Sequence, residues 1–178
     1  MSAYEILKYG SQVLRTKAEK VENIDVEIRE IASKMFQTMW SYDGIGLAAN
    51  QVGIAKRIIV IDISHLDKNF TPTALINPEI LDSEGDIIME EGCLSVPGIY
   101  EEVKRAEKIT VQFQSVDGST NKWTCEGLLA RVIQHEIDHL DGILFPDLIP
   151  SVKKKLLEGK LKDISRGIPV EKIKEKII

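Results

Sequence analysis

The chain has 178 residues, of which 43% are apolar and 29% charged. That composition excludes a disordered or collagen-like polymer and suits one folded domain spanning residues 1–178. A formal net charge of −5 gives no overall attraction to nucleic acid, so DNA is not an expected partner. No apolar run approaches the roughly 18 residues that a membrane span needs, so no membrane association is expected.

The opening Met1-Ser2-Ala3-Tyr4-Glu5 lacks the basic-then-apolar pattern of a secretory signal. A cytoplasmic, reducing setting is therefore expected, with Cys93 and Cys125 as free thiols. Charge is uneven along the chain. From Val152 to Ile178 there are nine Lys or Arg against four Asp or Glu, a surplus of +5 that leaves −10 on the remainder.

The first helix is expected over residues 25–42. Asp25 suits its N-cap, and Ile28, Ile31, Ala32, Met35 and Met39 recur at helical spacing as a core stripe. Gly44 ends it. Residues 57–63 are short and β-branched and read as a strand. Residues 73–81 read as a second strand, with Pro78 implying an edge or a bulge. Residues 87–89 lead into a turn around Cys93. Residues 109–113 alternate apolar and polar as a half-buried strand does. Asp117-Gly118 is a turn signal, and residues 122–125 return as the partner strand.

A helix over residues 128–141 follows, closed by Gly142. Leu129, Ile133, Ile137 and Leu140 mark one side, and Leu128, Val132, His135 and His139 another. A helix apolar nearly all round belongs in the middle of a fold. Ser151 is expected to cap a last amphipathic helix through Leu156, Leu157, Leu161 and Ile164, stopped by Gly167 and Pro169. The residues beyond form a short turn or a frayed tail. Strands followed by helices, one of them central, imply an α+β fold with antiparallel or mixed sheets.

His135-Glu136-Ile137-Asp138-His139 carries the chemistry. Two histidines four apart share a helix face and can reach one metal ion, while Glu136 between them suits a general base. Burying three ionisable groups among apolar neighbours needs a reason, and a metal supplies it. Cys93, Cys125 and His65 compete as third ligand. His65 sits in a polar loop, and Cys125 in a strand reads as a small core residue. Cys93, in Glu91-Gly92-Cys93-Leu94-Ser95, lies where glycine lets the backbone approach a ligand closely, and is favoured. Three protein ligands and a water would make an open, catalytic site.

Gly44-Ile45-Gly46-Leu47-Ala48-Ala49-Asn50-Gln51 fails as a phosphate loop, having no Lys-Ser/Thr ending. It reads equally as a structural turn or as a backbone segment bordering a substrate, with Gln51 as an amide donor. Asp138 can accept the second N–H of a ligating histidine or pair with Arg105. Arg131, one turn before His135, is expected to snorkel outward, the other reading being contact with a bound peptide.

The glycine string, the cysteine string and the His-Glu-x-x-His string, in this order, resemble the three signature motifs of the peptide deformylases, over roughly residues 6–161. The resemblance implies removal of the formyl group from the N-formylmethionine of nascent chains, releasing formate. It implies Cys93, His135 and His139 as metal ligands and Glu136 as general base and acid, with Gln51 and the backbone N–H of Leu94 as oxyanion donors. One divalent ion is implied, ferrous iron first, with zinc, nickel or cobalt able to take its place.

The same resemblance implies a methionine slot involving Ile45, Met89, Tyr100, Leu128 and Val132. Gly44 and Gly46 are read as keeping the space for the formyl group tight. At Arg131 the family often has an apolar residue, a departure in this chain. The basic C-terminal segment reads either as a solvated helix face or, as relatives suggest, as a contact with the ribosome through Lys153, Lys154, Lys155, Lys160 and Lys162. The competing readings are a general metalloprotease, which more often uses a third His or Glu, and a structural metal site, which needs a fourth protein ligand.

Overall fold

The computed structural model describes residues 3–169. It contains three α-helices and seven strands: α1 (Val26–Ser41), β1 (Gly46–Ala48), β2 (Ile58–Ile61), β3 (Thr73–Glu84), β4 (Ile87–Cys93), β5 (Val96–Arg105), β6 (Lys108–Gln114), β7 (Thr120–Glu126), α2 (Gly127–Leu140) and α3 (Ser151–Ser165). Five strands pair in the order β1-β2-β3-β6-β7, and β4-β5 form a separate hairpin; every pairing is antiparallel. This is the α+β class that the pattern of elements implies. No helix among the described residues is long and apolar enough to cross a membrane.

The sheet is buried on both faces around β2, and the period-two rule shows why that strand is apolar throughout. Ile59 and Ile61 join Leu75, Ile109, Val111 and Phe113 on one face, where α2 packs through Ala130, Val132, Ile133, Ile137 and Leu140. Ile58 and Val60 join Ala74 and Ile76 on the other, where α1 packs through Ile28, Ile31, Ala32, Met35 and Met39. The hairpin has its own core. Cys93, Val96, Ile99 and Val103 meet Phe145, Ile149, Leu161 and Ile164, so α3 covers the hairpin.

Asp25 caps α1, its side chain accepting from Ile28 N at 3.1 Å. Pro78 lies in an interior strand, and its missing N–H is absorbed by a register shift between Ile76 and Glu79; of the edge and the bulge, the bulge is found. Asn77 there takes a positive φ of 52°. Its amide spans to Val21 on both sides, at 2.8 and 2.9 Å. Gly142 follows α2 with φ 75°. A Cβ there would lie 2.7 Å from Arg15 O, so close approach as well as backbone sign demands glycine.

Three local expectations change. Ser151 is the first residue of α3, and Pro150 takes the N-cap position without a side-chain bond, its fixed φ suiting a helix start. The stretch after Cys93, read as a turn, opens into the ten-residue β5, because β4 supplies its ladder. The glycine segment contains β1 and a short 3-10 turn, Ala49–Val52. The tail beyond Pro169 lies outside the described residues.

Asp147, just before α3, accepts from Arg15, from Lys154 Nζ at 2.8 Å and from Leu144 N at 3.0 Å. Burial pushes its carboxyl up, but these bonds and the Arg15 charge prevail and hold it at about 2. A lowered carboxylate stabilises the fold above its unfolded value of 3.8 and loses that contribution as pH falls toward 2. Asp147→Asn is therefore expected to be less stable than the parent at pH 6, by about 1 kcal/mol or less given its partial exposure. Urea melts should show the gap closing between pH 4 and 2; a gap independent of pH would contradict it.

Candidate active site

Helix α2 is amphipathic in an unusual sense, since its second buried face carries charge. His135, Glu136 and His139 are at most 2% exposed. The two imidazoles turn their Nε2 atoms toward each other at 3.3 Å, rings crossed at 76°. Cys93 ends β4, placing Sγ 3.2 Å from His139 Nε2. Cys93, His135 and His139, all buried, form the one cluster among the described residues that could hold a metal ion, each offering a ligand atom within 4.8 Å of the others. Tetrahedral ligands at bonds of 2.0–2.3 Å stand about 3.4–3.6 Å apart, so the donors need only small adjustments to surround an ion. His65 is exposed and Cys125 packs against the sheet core; neither joins the cluster.

The electrostatics fit a cation. Burial opposes charge on His135, yet Cys93 and Glu91 hold a proton there, raising its pKa. Burial and the His135 charge together push His139 well below its usual range. The surroundings of His135 thus favour positive charge, as a metal-binding site does.

Glu136 sits beside the triad without a bond to it. Its Oε2 is buried without a hydrogen-bond partner among the described residues. Burial pushes the carboxyl up to about 7, against the pull of His135 and Arg105. A Cβ on Gly46 would fall 2.5 Å from Glu136 Oε1 and 2.9 Å from Val132 Cγ1. The backbone at Gly46 thus passes close against α2. Gly46→Ala is expected to fold but to displace Glu136, lowering activity at least about tenfold. Activity near that of the parent would show that the glycine is not sterically required.

Gln51 is fixed at both ends of its amide. Oε1 accepts from Ala48 N at 2.9 Å, and Nε2 points to Cys93 Sγ at 3.5 Å and Ser95 Oγ at 3.2 Å. Leu94 occupies the turn joining β4 to β5, its carbonyl accepting from Lys8 Nζ at 2.9 Å. Gly44 faces Leu94 and Met39, at 3.0 and 3.3 Å from its Cβ position. Ile45, Leu128 and Val132 belong to the core cluster around α2. Met89, 39% exposed on β4, and Tyr100 on β5 stand on the hairpin. The Tyr100 ring covers Gly92 so closely that a Cβ there would lie 2.6 Å away.

Glu91 was not foreseen as a functional residue. Its carboxylate, 1% exposed, accepts from His135 Nδ1 at 3.0 Å, from Arg105 Nε at 2.5 Å and Nη2 at 2.9 Å, and from Arg131 Nη1 at 2.5 Å. Burial pushes Glu91 up, but His135 and Arg105 outweigh it and bring it to about 2. Glu91, not Asp138, is the carboxylate that accepts from His135 Nδ1; Asp138 pairs with Arg105 Nη1 at 2.7 Å. Arg131 does not snorkel outward. It is fully buried, because Glu91 gives it a carboxylate inside.

Three donors from a strand end and one helix, beside a buried carboxylate, define a metal hydrolase type of site. The comparisons agree. The family model described as Polypeptide deformylase matches residues 3–155. A peptide deformylase of Thermodesulfovibrio yellowstonii is 47% identical over 162 residues, covering 91% of this chain and 98% of the relative. One from Dictyoglomus thermophilum is 52% identical over 143 residues, covering 80% and 90%. The crystal structure of a peptide deformylase from Legionella pneumophila superposes with a TM-score of 0.86 at 42% identity, covering 93% of this chain and 96% of that one. This chain belongs to the polypeptide deformylase family of enzymes.

Proposed function

We propose that this single-domain protein hydrolyses the N-formyl group of formylmethionyl nascent peptides in the cytoplasm, giving formate and a free amine. The observation that carries the reading is the convergence of Cys93 Sγ and the His135 and His139 Nε2 atoms beside the buried Glu136 carboxylate, whose Oε2 has no hydrogen-bond partner among the described residues.

Cys93, His135 and His139 are the residues that would hold the ion. A divalent metal there, ferrous iron by family likeness or zinc, nickel or cobalt in its place, supplies Lewis acidity that brings the pKa of a water to about 7. Glu136 takes the proton of the water that attacks the formyl carbon. As the C–N bond breaks, Glu136 returns that proton to the departing amine nitrogen. A carboxyl poised at about 7 by burial suits both transfers near neutral pH. The Gln51 amide, pinned by Ala48 N, and the Leu94 N–H donate to the developing oxyanion. Donors held in place this way need no reorganisation during the reaction.

Gly46 and Gly44 let the backbone pass close to Glu136 and Leu94, a tight surround that would suit a formyl carbon, bearing only hydrogen, better than a bulkier acyl group. Ile45, Leu128 and Val132, with Met89 and Tyr100 from the hairpin, offer the apolar slot for methionine.

The test is formate release from formyl-Met-Ala-Ser against cleavage of an internal peptide. Formate from the first and no cleavage of the second is expected. Cleavage of the internal peptide alone would contradict the reading and favour a general metalloprotease.

Contact with the ribosome is also proposed, through α3. Lys153 is engaged by Glu101 at 3.1 Å and Lys154 by Asp147 at 2.8 Å, while Lys155, Lys160 and Lys162 are exposed. Phosphate contacts by these residues would make association fall steeply with salt; salt-independent co-sedimentation would contradict it.

A further inference from the structure

We propose that Arg131 is a positioning residue of the metal centre, stapling the cysteine-bearing hairpin to the histidine-bearing helix. The inference rests on the reading of Cys93, His135 and His139 as ligands of one ion.

Among the described residues, the hairpin β4-β5 shares no backbone ladder with the five-stranded sheet. Its place against α2 must therefore be set by side chains, and the ligand set straddles that junction. Cys93 comes from β4, His135 and His139 from α2. Arg131 lies one helical turn before His135 and reaches both strands of the hairpin. Nη2 donates to Ile87 O on β4 at 3.0 Å, and Nη1 to Val103 O on β5 at 3.1 Å. Nη1 also donates to Glu91 Oε1 at 2.5 Å.

Glu91 completes the staple. It precedes Cys93 by two residues on β4, and its Oε2 lies 3.0 Å from His135 Nδ1. One carboxylate thus connects the strand of the sulfur ligand to the ring of an imidazole ligand. Arg105 braces the same carboxylate from β5 and pairs with Asp138 on α2. Two guanidinium groups thus face two carboxylates across the junction.

An apolar residue at 131 could fill the volume. It would leave Ile87 O and Val103 O without this donor and Glu91 with one guanidinium fewer, at a buried site where such losses are felt. Lysine is not equivalent either. One nitrogen cannot match the planar fork that serves two carbonyls and a carboxylate together.

The test uses the full chain, stripped of metal and titrated anaerobically with Co(II) against a competing chelator, following the thiolate-to-cobalt absorption. Arg131→Met is expected to weaken Co(II) binding about 10–100-fold, the range seen when outer partners of ligands are lost, and to shift or weaken that band. Arg131→Lys should weaken binding less and recover part of the band. Lys104→Met, which removes only the exposed pair with Asp86 on the same hairpin, should bind as the parent does.

Parent-like affinity and spectrum in both Arg131 variants would overturn the proposal, even if their melting temperatures fall, since that pattern marks a purely structural role. Should Arg131→Met not fold, Arg131→Lys decides alone by the same criterion. Failure of the metal reading itself would look different: the parent would show no thiolate-to-cobalt band.

Discussion

Glu136→Ala is expected to leave the protein folded and able to bind one divalent ion, while lowering formate release by about 10²–10⁴-fold, the range for a general acid–base group. Glu136 is 1% exposed, and its Oε2 has no hydrogen-bond partner among the described residues. Removing it orphans no donor there. A buried carboxylate oxygen without a partner costs stability, so the alanine variant should melt at or above the parent's temperature. Glu136→Gln keeps the shape but cannot carry the proton, and should lose activity to the same order. Metal content measured beside formate release checks the assignment. Metal lost in parallel with activity would make Glu136 a ligand rather than the base.

Cys93→Ala is expected to abolish metal retention on gel filtration, and activity with it. One of three ligand atoms disappears, a larger loss than the roughly 10–100-fold that follows removal of an outer partner. Cys125→Ala should keep both metal and activity. Cys125 lies half-buried on β7 against the sheet core, and burial pushes its thiol up to about 11, far from the thiolate a metal needs. Metal analysis by mass spectrometry checks both variants. Retention by Cys93→Ala and loss by Cys125→Ala would reverse the roles.

What sequence could and could not reveal follows from the range of the forces involved. His135 and His139 were legible because helical spacing alone puts them on one face. The sheet was legible in β2 and β6, where apolar period and burial coincide. β5 was not: Glu101, Glu102 and Lys104 make it polar, and its strand character comes from the β4 ladder, not from its own residues.

Glu90 and Glu91 are neighbours of the same type, yet Glu90 is exposed and Glu91 is buried. Strand parity decides between them, and parity depends on a pairing register that the local string does not encode. Arg131 shows the same limit more sharply. A long cation defaults to the surface, and its inward course is set by a carboxylate 40 residues away in sequence. Arg131, set among Leu128, Leu129, Val132 and Ile133, was the available signal that an acidic partner lay inside.

Cys93 as third ligand rested on a glycine-flanked turn and on resemblance; its convergence with the imidazoles depends on how the hairpin packs against α2. X-ray absorption at the metal edge of anaerobically purified protein tests this most directly. One sulfur and two imidazole nitrogens in the inner shell, with one ion per chain, is the expected result. A stoichiometric ion whose inner shell lacks sulfur, or a chain that takes up no ion at all, would contradict it.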